Sequence, residues 1–247
     1  MRSMLFAFCI GGWASISYSA VPLTPAGNGH LLIPVLVDGV GPFPAILDTG
    51  ADESGVYQWF ANQQKLPRGG SNVVGGMTGS VSMASYDLGS ITVDGHTVRK
   101  LHADGYPNRK DNERQALVVG NDFMDGSIAV FDYPCRKVEI WPKPVRPDKL
   151  LSSHAMMIEG GSVRDGTQLT FPVRVGAARG IAVLDTGSRE TKLNPQFAAA
   201  AGIDPASPGF RAGERSTART RRAWGHASGR SARCATPTSR FRRPARR

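Results

Sequence analysis

The sequence predicts a mostly β protein: one complete small barrel, an incomplete second copy of it, and a disordered tail. Three observations lead there. Glycine and proline number 29 and 17 among 247 residues, which favours strands and turns over long helices. Strand-length apolar runs follow one another with turn residues between them. The tripeptide Asp-Thr-Gly occurs twice, at Asp48 and at Asp185, each time after an apolar run.

The chain begins with Arg2, an apolar run from Met4 to Ala14, and small residues at Ser17, Ser19 and Ala20. That layout reads as a secretory signal peptide over residues 1–20, with a buried N-terminal strand as the alternative. The run is too short to cross a bilayer, which takes about 20 residues. It predicts an exported chain, periplasmic or secreted, with no membrane span in the mature protein.

The first strand runs from Leu31 to Val37 and ends at Asp38-Gly39, a hairpin signal. The second runs from Pro42 to Leu47 and leads into Asp48-Thr49-Gly50. Further strands are expected over Ser80–Tyr86, Ile91–Val93, Ala116–Gly120, Ile128–Asp132 and Lys137–Trp141. Such a succession suits a small barrel or sandwich. A first lobe is therefore placed at 28–142. The Pro-rich stretch 143–150 punctuates the chain as an extended linker.

After the linker the pattern restarts. Leu169–Val175 and Gly180–Leu184 lead into Asp185-Thr186-Gly187-Ser188. Aligning Asp185 with Asp48 continues the match without a gap: Glu190 with Glu53, Phe197 with Phe60, Ala198 with Ala61, Ile203 with Leu66. Upstream, Pro172-Val173 matches Pro34-Val35 with one residue inserted. One Asp-Thr-Gly is a weak signal, but two in matching surroundings indicate a duplicated lobe. The second copy, at 151–210, covers only the opening half.

Residues 211–247 are of another kind. They hold twelve Arg, no Lys, one acid (Glu214) and no Leu, Ile, Val or Met. The formal net charge of +10 lives wholly in this tail. Such a composition cannot bury enough surface to offset its ordering entropy, so disorder is expected. It reads as out-of-frame translation of a GC-rich gene. A basic nucleic-acid arm is the functional alternative, disfavoured because only Trp224 and Phe241 are available for base stacking.

At these residues the chain resembles the retropepsin-like and pepsin-like aspartic proteases, in particular exported bacterial members carrying two such units. The resemblance rests on Ile46-Leu47-Asp48-Thr49-Gly50-Ala51, on Val183-Leu184-Asp185-Thr186-Gly187-Ser188, and on the apolar-Gly segment Leu117-Val118-Val119-Gly120. It implies an aspartic endopeptidase, with Asp48 and Asp185 as a catalytic dyad that activates water. Two carboxyl groups in contact cannot both ionise comfortably, so one keeps a proton and the other stays a carboxylate. Gly50 and Gly187 permit a sharp turn and close approach of the two loops. By resemblance, the Thr49 and Thr186 hydroxyls bond across the lobes. Ser188 offers its carboxylate a hydrogen bond that Ala51 does not, which would make the two acids unequal.

Gly75-Gly76-Met77-Thr78-Gly79 reads as a hairpin flap over substrate, or as a plain exposed turn. Leu117, Val118 and Gly120 are expected to pack beneath the catalytic loop. Asp122, Asp125 and Glu53 read as turn or surface acids. Three Cys (9, 135, 234) without a Cys-x-x-Cys pair and five scattered His exclude a zinc ribbon and predict no metal, no cofactor and a fold without disulfides. The expected partner is a peptide or protein substrate. The short second lobe leaves two alternatives: a homodimer in which Asp48 meets its counterpart, and a non-catalytic lobe that binds peptide or protein.

Overall fold

The computed structural model describes residues 20–76, 79–111, 113–144, 146, 160–162 and 166–204. The expected signal peptide apart from Ala20, Met77 and Thr78 of the candidate flap, most of the expected linker and the Arg-rich tail lie outside the described residues.

In chain order the strands are β1 (Val21–Pro22), β2 (Thr24–Pro25), β3 (Leu31–Val37), β4 (Val40–Leu47), β5 (Gly55–Tyr57), β6 (Arg68–Gly76), β7 (Gly79–Val93) and β8 (His96–Tyr106). Then come β9 (Leu117–Val119), β10 (Ser127–Asp132), β11 (Lys137–Pro142), β12 (Gly161–Ser162), β13 (Leu169–Val175) and β14 (Ala178–Val183). Three short helices interrupt them: α1 (Gln58–Gln64), α2 (Asn121–Met124) and α3 (Pro195–Ala200). The protein is mostly β.

Eight strands form one sheet in the order β2-β3-β4-β9-β5-β8-β7-β6, and an extra β3–β7 pairing curls it closed. A second sheet, β1-β11-β10, joins the N-terminal segment to the end of the lobe. The β3–β4 hairpin turns at Asp38-Gly39 with φ of 51° and 76°, and β7–β8 turns at Asp94-Gly95 with 45° and 79°. Paired positive φ values match the right-handed strand twist, which is why Asp-Gly serves there. The two separate strands expected within 80–93 are one, β7. Its partner β8 was not legible, because Lys100 takes a φ of 59° and breaks the alternation of its side chains.

Along β3 alternate side chains Ile33, Val35 and Val37 point inward. At the end of β4, Ala45, Ile46 and Leu47 are all buried, because β3 and β9 flank the strand and both its faces are covered. Ala45 and Leu47 join the main core. Ile46 joins a smaller cluster with Tyr57 and Val118 beside the Asp48 loop. Helix α1 sends Phe60 into the core, edge-on to Phe43 at 4.8 Å between centroids, and ends on a left-handed Lys65. Phe60 is fully buried, so Phe60→Ala is expected to lower the unfolding free energy by about 3–5 kcal/mol, read by denaturant titration.

The repeat is visible in three dimensions. The β13–β14 hairpin corresponds to β3–β4, and α3 corresponds to α1, with Phe197 lying where a Cβ on Gly180 would stand. Where β4 lies between β3 and β9, β14 has only β13 beside it among the described residues. Ile181, Val183 and Leu184 are accordingly exposed. Cys135 is disulfide-bonded, which corrects the expectation of a disulfide-free fold; no other described residue is a cysteine.

Candidate active site

Asp48 leaves the end of β4, its N–H donating to the Val119 carbonyl at 2.9 Å. The chain then turns at once. The Ala51 N–H reaches back to the Asp48 carbonyl at 3.4 Å, and the Gly50 N–H donates to the Asp48 carboxylate at 2.8 Å. The second copy makes the same turn, with Ser188 N–H to the Asp185 carbonyl at 3.4 Å and to its carboxylate at 2.8 Å.

Four hydrogen bonds cross between the loops, related by the repeat. The Thr49 hydroxyl donates to the Leu184 carbonyl at 2.7 Å, and the Thr186 hydroxyl to the Leu47 carbonyl at 2.7 Å. In return each hydroxyl accepts the opposite threonine N–H, at 3.0 and 3.1 Å. Each threonine hydroxyl thus both donates and accepts, which fixes its rotor and ties the loops together.

This network brings the carboxyl groups face to face. A Cβ on Gly50 would lie 2.7 Å from the Asp185 carboxyl carbon, and one on Gly187 would overlap the Asp48 carboxylate. Only hydrogen at both positions leaves room for the opposite acid. Asp48 is partly buried and Asp185 exposed. Burial, then the nearby Asp185 charge, pushes Asp48 up to about 6 from an ordinary 3.8. The Ser188 hydroxyl donates to the Glu190 carbonyl at 2.9 Å, so the expected role for it beside the carboxylate is corrected: the backbone N–H does that work. The inequality of the two acids has burial as its main source.

Beneath the first loop, Gly120 passes so close that a Cβ would stand 2.7 Å from the Glu53 carbonyl. Its N–H donates to the buried Ser54 hydroxyl, and Asn121 Nδ2 donates to the Thr49 carbonyl at 3.0 Å. Asp122 accepts from both the N–H and the hydroxyl of Ser54, at 2.9 and 2.7 Å. It is a brace between α2 and the loop rather than a surface acid. Leu117 and Val118 lie beside β4 in parallel register with Ala45 and Ile46. Of the candidate flap, Gly75 pairs with Ser80 and Gly76 with Gly79 where β6 meets β7.

Several residues at the site had no clear sequence signal. Tyr106 packs its ring against Gly55 and edge-on to Tyr57; burial and the Asp104 and Asp48 charges push its phenol up to about 12. Asp52 accepts the Thr167 N–H and hydroxyl at 2.6 and 2.8 Å, and Gln168 Nε2 donates to the Gly50 carbonyl at 2.7 Å. His30 is set among Arg109, Arg189 and Asp111. The repeat could have suggested Gln168 and His30, which fall at matching places once the inserted residue is counted. No group of three His, Cys, Asp or Glu among the described residues is arranged to hold a metal.

Residues 33–123 match the family described as Aspartyl protease. That span is most of the first lobe, which is similar to this family over the match. A solved retropepsin-like aspartic protease from Rickettsia conorii is similar to this chain at 14% identity, over 51% of this chain and 92% of that one, with a TM-score of 0.36. No curated protein sequence matches. The matched segment takes in the Asp48 loop, β9 and most of α2. Among the described residues no helix is long and apolar enough to cross a membrane.

Proposed function

We propose that the chain is an aspartic endopeptidase whose reacting groups are Asp48 and Asp185, one from each of two units at 28–142 and 151–210. The observation that supports this most is the crossed packing of each carboxyl group against the glycine of the other loop. Asp48, the more buried acid, holds the shared proton, and Asp185 works as the carboxylate. Water adds to the scissile carbonyl carbon as Asp185 takes its proton and Asp48 gives its own to the carbonyl oxygen. Collapse of the diol breaks the C–N bond. The proton on Asp185 passes to the departing amine, and one diol proton returns to Asp48. Thr49, Gly50, Ala51, Thr186, Gly187 and Ser188 hold the loops.

The pH dependence follows in sign. An acid whose folded value is raised to about 6 is protonated below it and ionised above it. Cleavage of an unfolded protein substrate is therefore expected to fall as pH rises through about 6, close to tenfold per unit. A kcat/KM profile from pH 3 to 8 checks this; activity that persists unchanged to pH 8 sinks the assignment of the proton to Asp48.

A non-catalytic binding lobe is the second reading. The exposure of Asp185 favours it, as does β14 having only β13 beside it among the described residues. Pepstatin-sensitive cleavage separates the two readings: its absence at every pH leaves binding alone. Export, on the reading of residues 1–20, would place either role outside the cytoplasm.

A further inference from the structure

Three successive carbonyls of the Asp48 loop are tied down. Asn121 holds the outer two, its Nδ2 donating to the Thr49 carbonyl at 3.0 Å and its backbone N–H to the Ala51 carbonyl at 2.9 Å. The middle one, on Gly50, accepts Gln168 Nε2 at 2.7 Å, and this donor comes from the second copy of the repeat. A carbonyl only accepts, so the nitrogen of the Gln168 amide is the end that faces it.

Gly50 also serves the acid, its N–H donating to the Asp48 carboxylate at 2.8 Å. The residue has to be glycine, since a Cβ there would lie 2.7 Å from the Asp185 carboxyl carbon and 3.1 Å from Asp48 Oδ1. Glycine is conformationally permissive, so its peptide planes need holding from outside. The second loop is built differently, because Asp185 takes its bond from the N–H of Ser188, a residue with a side chain, at 2.8 Å. Gln168 itself sits on a segment that is anchored without it. Thr167 gives its N–H and its hydroxyl to Asp52 at 2.6 and 2.8 Å, and a Cβ on Gly166 would lie 3.0 Å from the same carboxylate.

Building on the dyad reading above, we propose that Gln168 is a positioning residue: by fixing the Gly50 carbonyl from the second unit, it aims the Gly50 N–H at the Asp48 carboxylate. A bond from an N–H favours the ionised acid, and here it opposes burial and the Asp185 charge, which both raise Asp48. Without Gln168 the Gly50 peptide is free to turn, the bond weakens, and Asp48 keeps its proton to higher pH. Parting of the two units does the reverse, because Asp48 then regains solvent and loses Asp185. The direction of the change therefore separates aiming from adhesion. The Tyr106 phenol, which also senses Asp48, is pushed up to about 12 and stays neutral throughout. In turnover the bond strengthens as Asp48 gives up its proton, so it acts on kcat rather than on KM.

The test follows the Asp48 carboxyl carbon by NMR from pH 3 to 8 in the full chain, in Gln168→Leu and in Thr167→Val. Gln168→Leu removes the donor, whereas Thr167→Val removes one bond to Asp52 and leaves Gln168 in place. Gln168→Leu is expected to raise the midpoint above its starting value of about 6, by about half a unit or more, and Thr167→Val is expected not to raise it. With a cleavable substrate, kcat in Gln168→Leu should fall about tenfold at pH 5 with KM little changed. The alkaline limb of its profile should move up with the midpoint. A midpoint that stays or falls in Gln168→Leu overturns the proposal, as does an equal rise in Thr167→Val. In the unsubstituted chain one Gln168 side-chain amide proton is expected to exchange about tenfold or more slowly than those of the exposed Gln63. Equal exchange overturns the proposal even if a variant fails to fold. The titration needs no turnover, so a midpoint that rises in a chain that cleaves nothing refutes the dyad reading alone.

Discussion

Asp48→Asn is expected to abolish cleavage, with kcat/KM down by about 10³-fold or more, while raising stability at pH 7. The amide keeps the shape of the side chain and its bond from the Gly50 N–H, but it has no acid proton to give and cannot share one. The gain in stability has a separate cause. The folded protein holds the Asp48 proton up to about 6 whereas an ordinary Asp releases it near 3.8, so folding loses stability as pH rises across that window. Above pH 6 the full penalty is present, on the order of 2–3 kcal/mol, and the neutral amide removes most of it. Unfolding at pH 7 and at pH 3.5 checks the sign: the advantage of the variant should shrink at the lower pH. A variant that cleaves at the parental rate would exclude Asp48 from the chemistry.

Gly187→Ala is expected to reduce cleavage by about 10²-fold with the lobe still folded. The added methyl would overlap the Asp48 carboxylate from the far side of the interface. Asp48 has little freedom to yield, being partly buried, held by the Gly50 N–H, and followed by a loop that Asn121 braces. The reciprocal change, Gly50→Ala, places its methyl against Asp185 at 2.7 Å from the carboxyl carbon. Asp185 is exposed and can swing outward, so the loss there should be smaller. Steady-state kinetics on both variants, with circular dichroism to confirm the fold, compares them directly. Equal losses would mean that the two acids are held equally firmly, against the difference in burial.

Both effects turn on features that differ in how far the chain reveals them. The strands β3, β4, β9, β10 and β11 were legible because their apolar runs are bounded by turn residues, and the glycines at 50, 120 and 187 because the motifs carry them. Strand β5 was hidden: Gly55-Val56-Tyr57 is too short to show a period, and it is held by β8 and β9, which lie far along the chain. Helices α1 and α3 were hidden for a related reason, since six or seven residues with one or two apolar positions display no 3.6-residue repeat. Asp122 looked like a surface acid because its partner, Ser54, lies far back along the chain.

By itself the sequence determined the mostly β class, the duplication, and the two Asp-Thr-Gly turns, since local apolar runs and turn residues encode these directly. Only the tertiary structure decided that Asp48 is the more buried acid, that the Ser188 hydroxyl turns to Glu190, and that Gln168 donates to the Gly50 carbonyl. Burial and charge at a side chain are set by whatever packs around it, and at this site several of those neighbours, Asp185 and Gln168 among them, come from the other copy of the repeat.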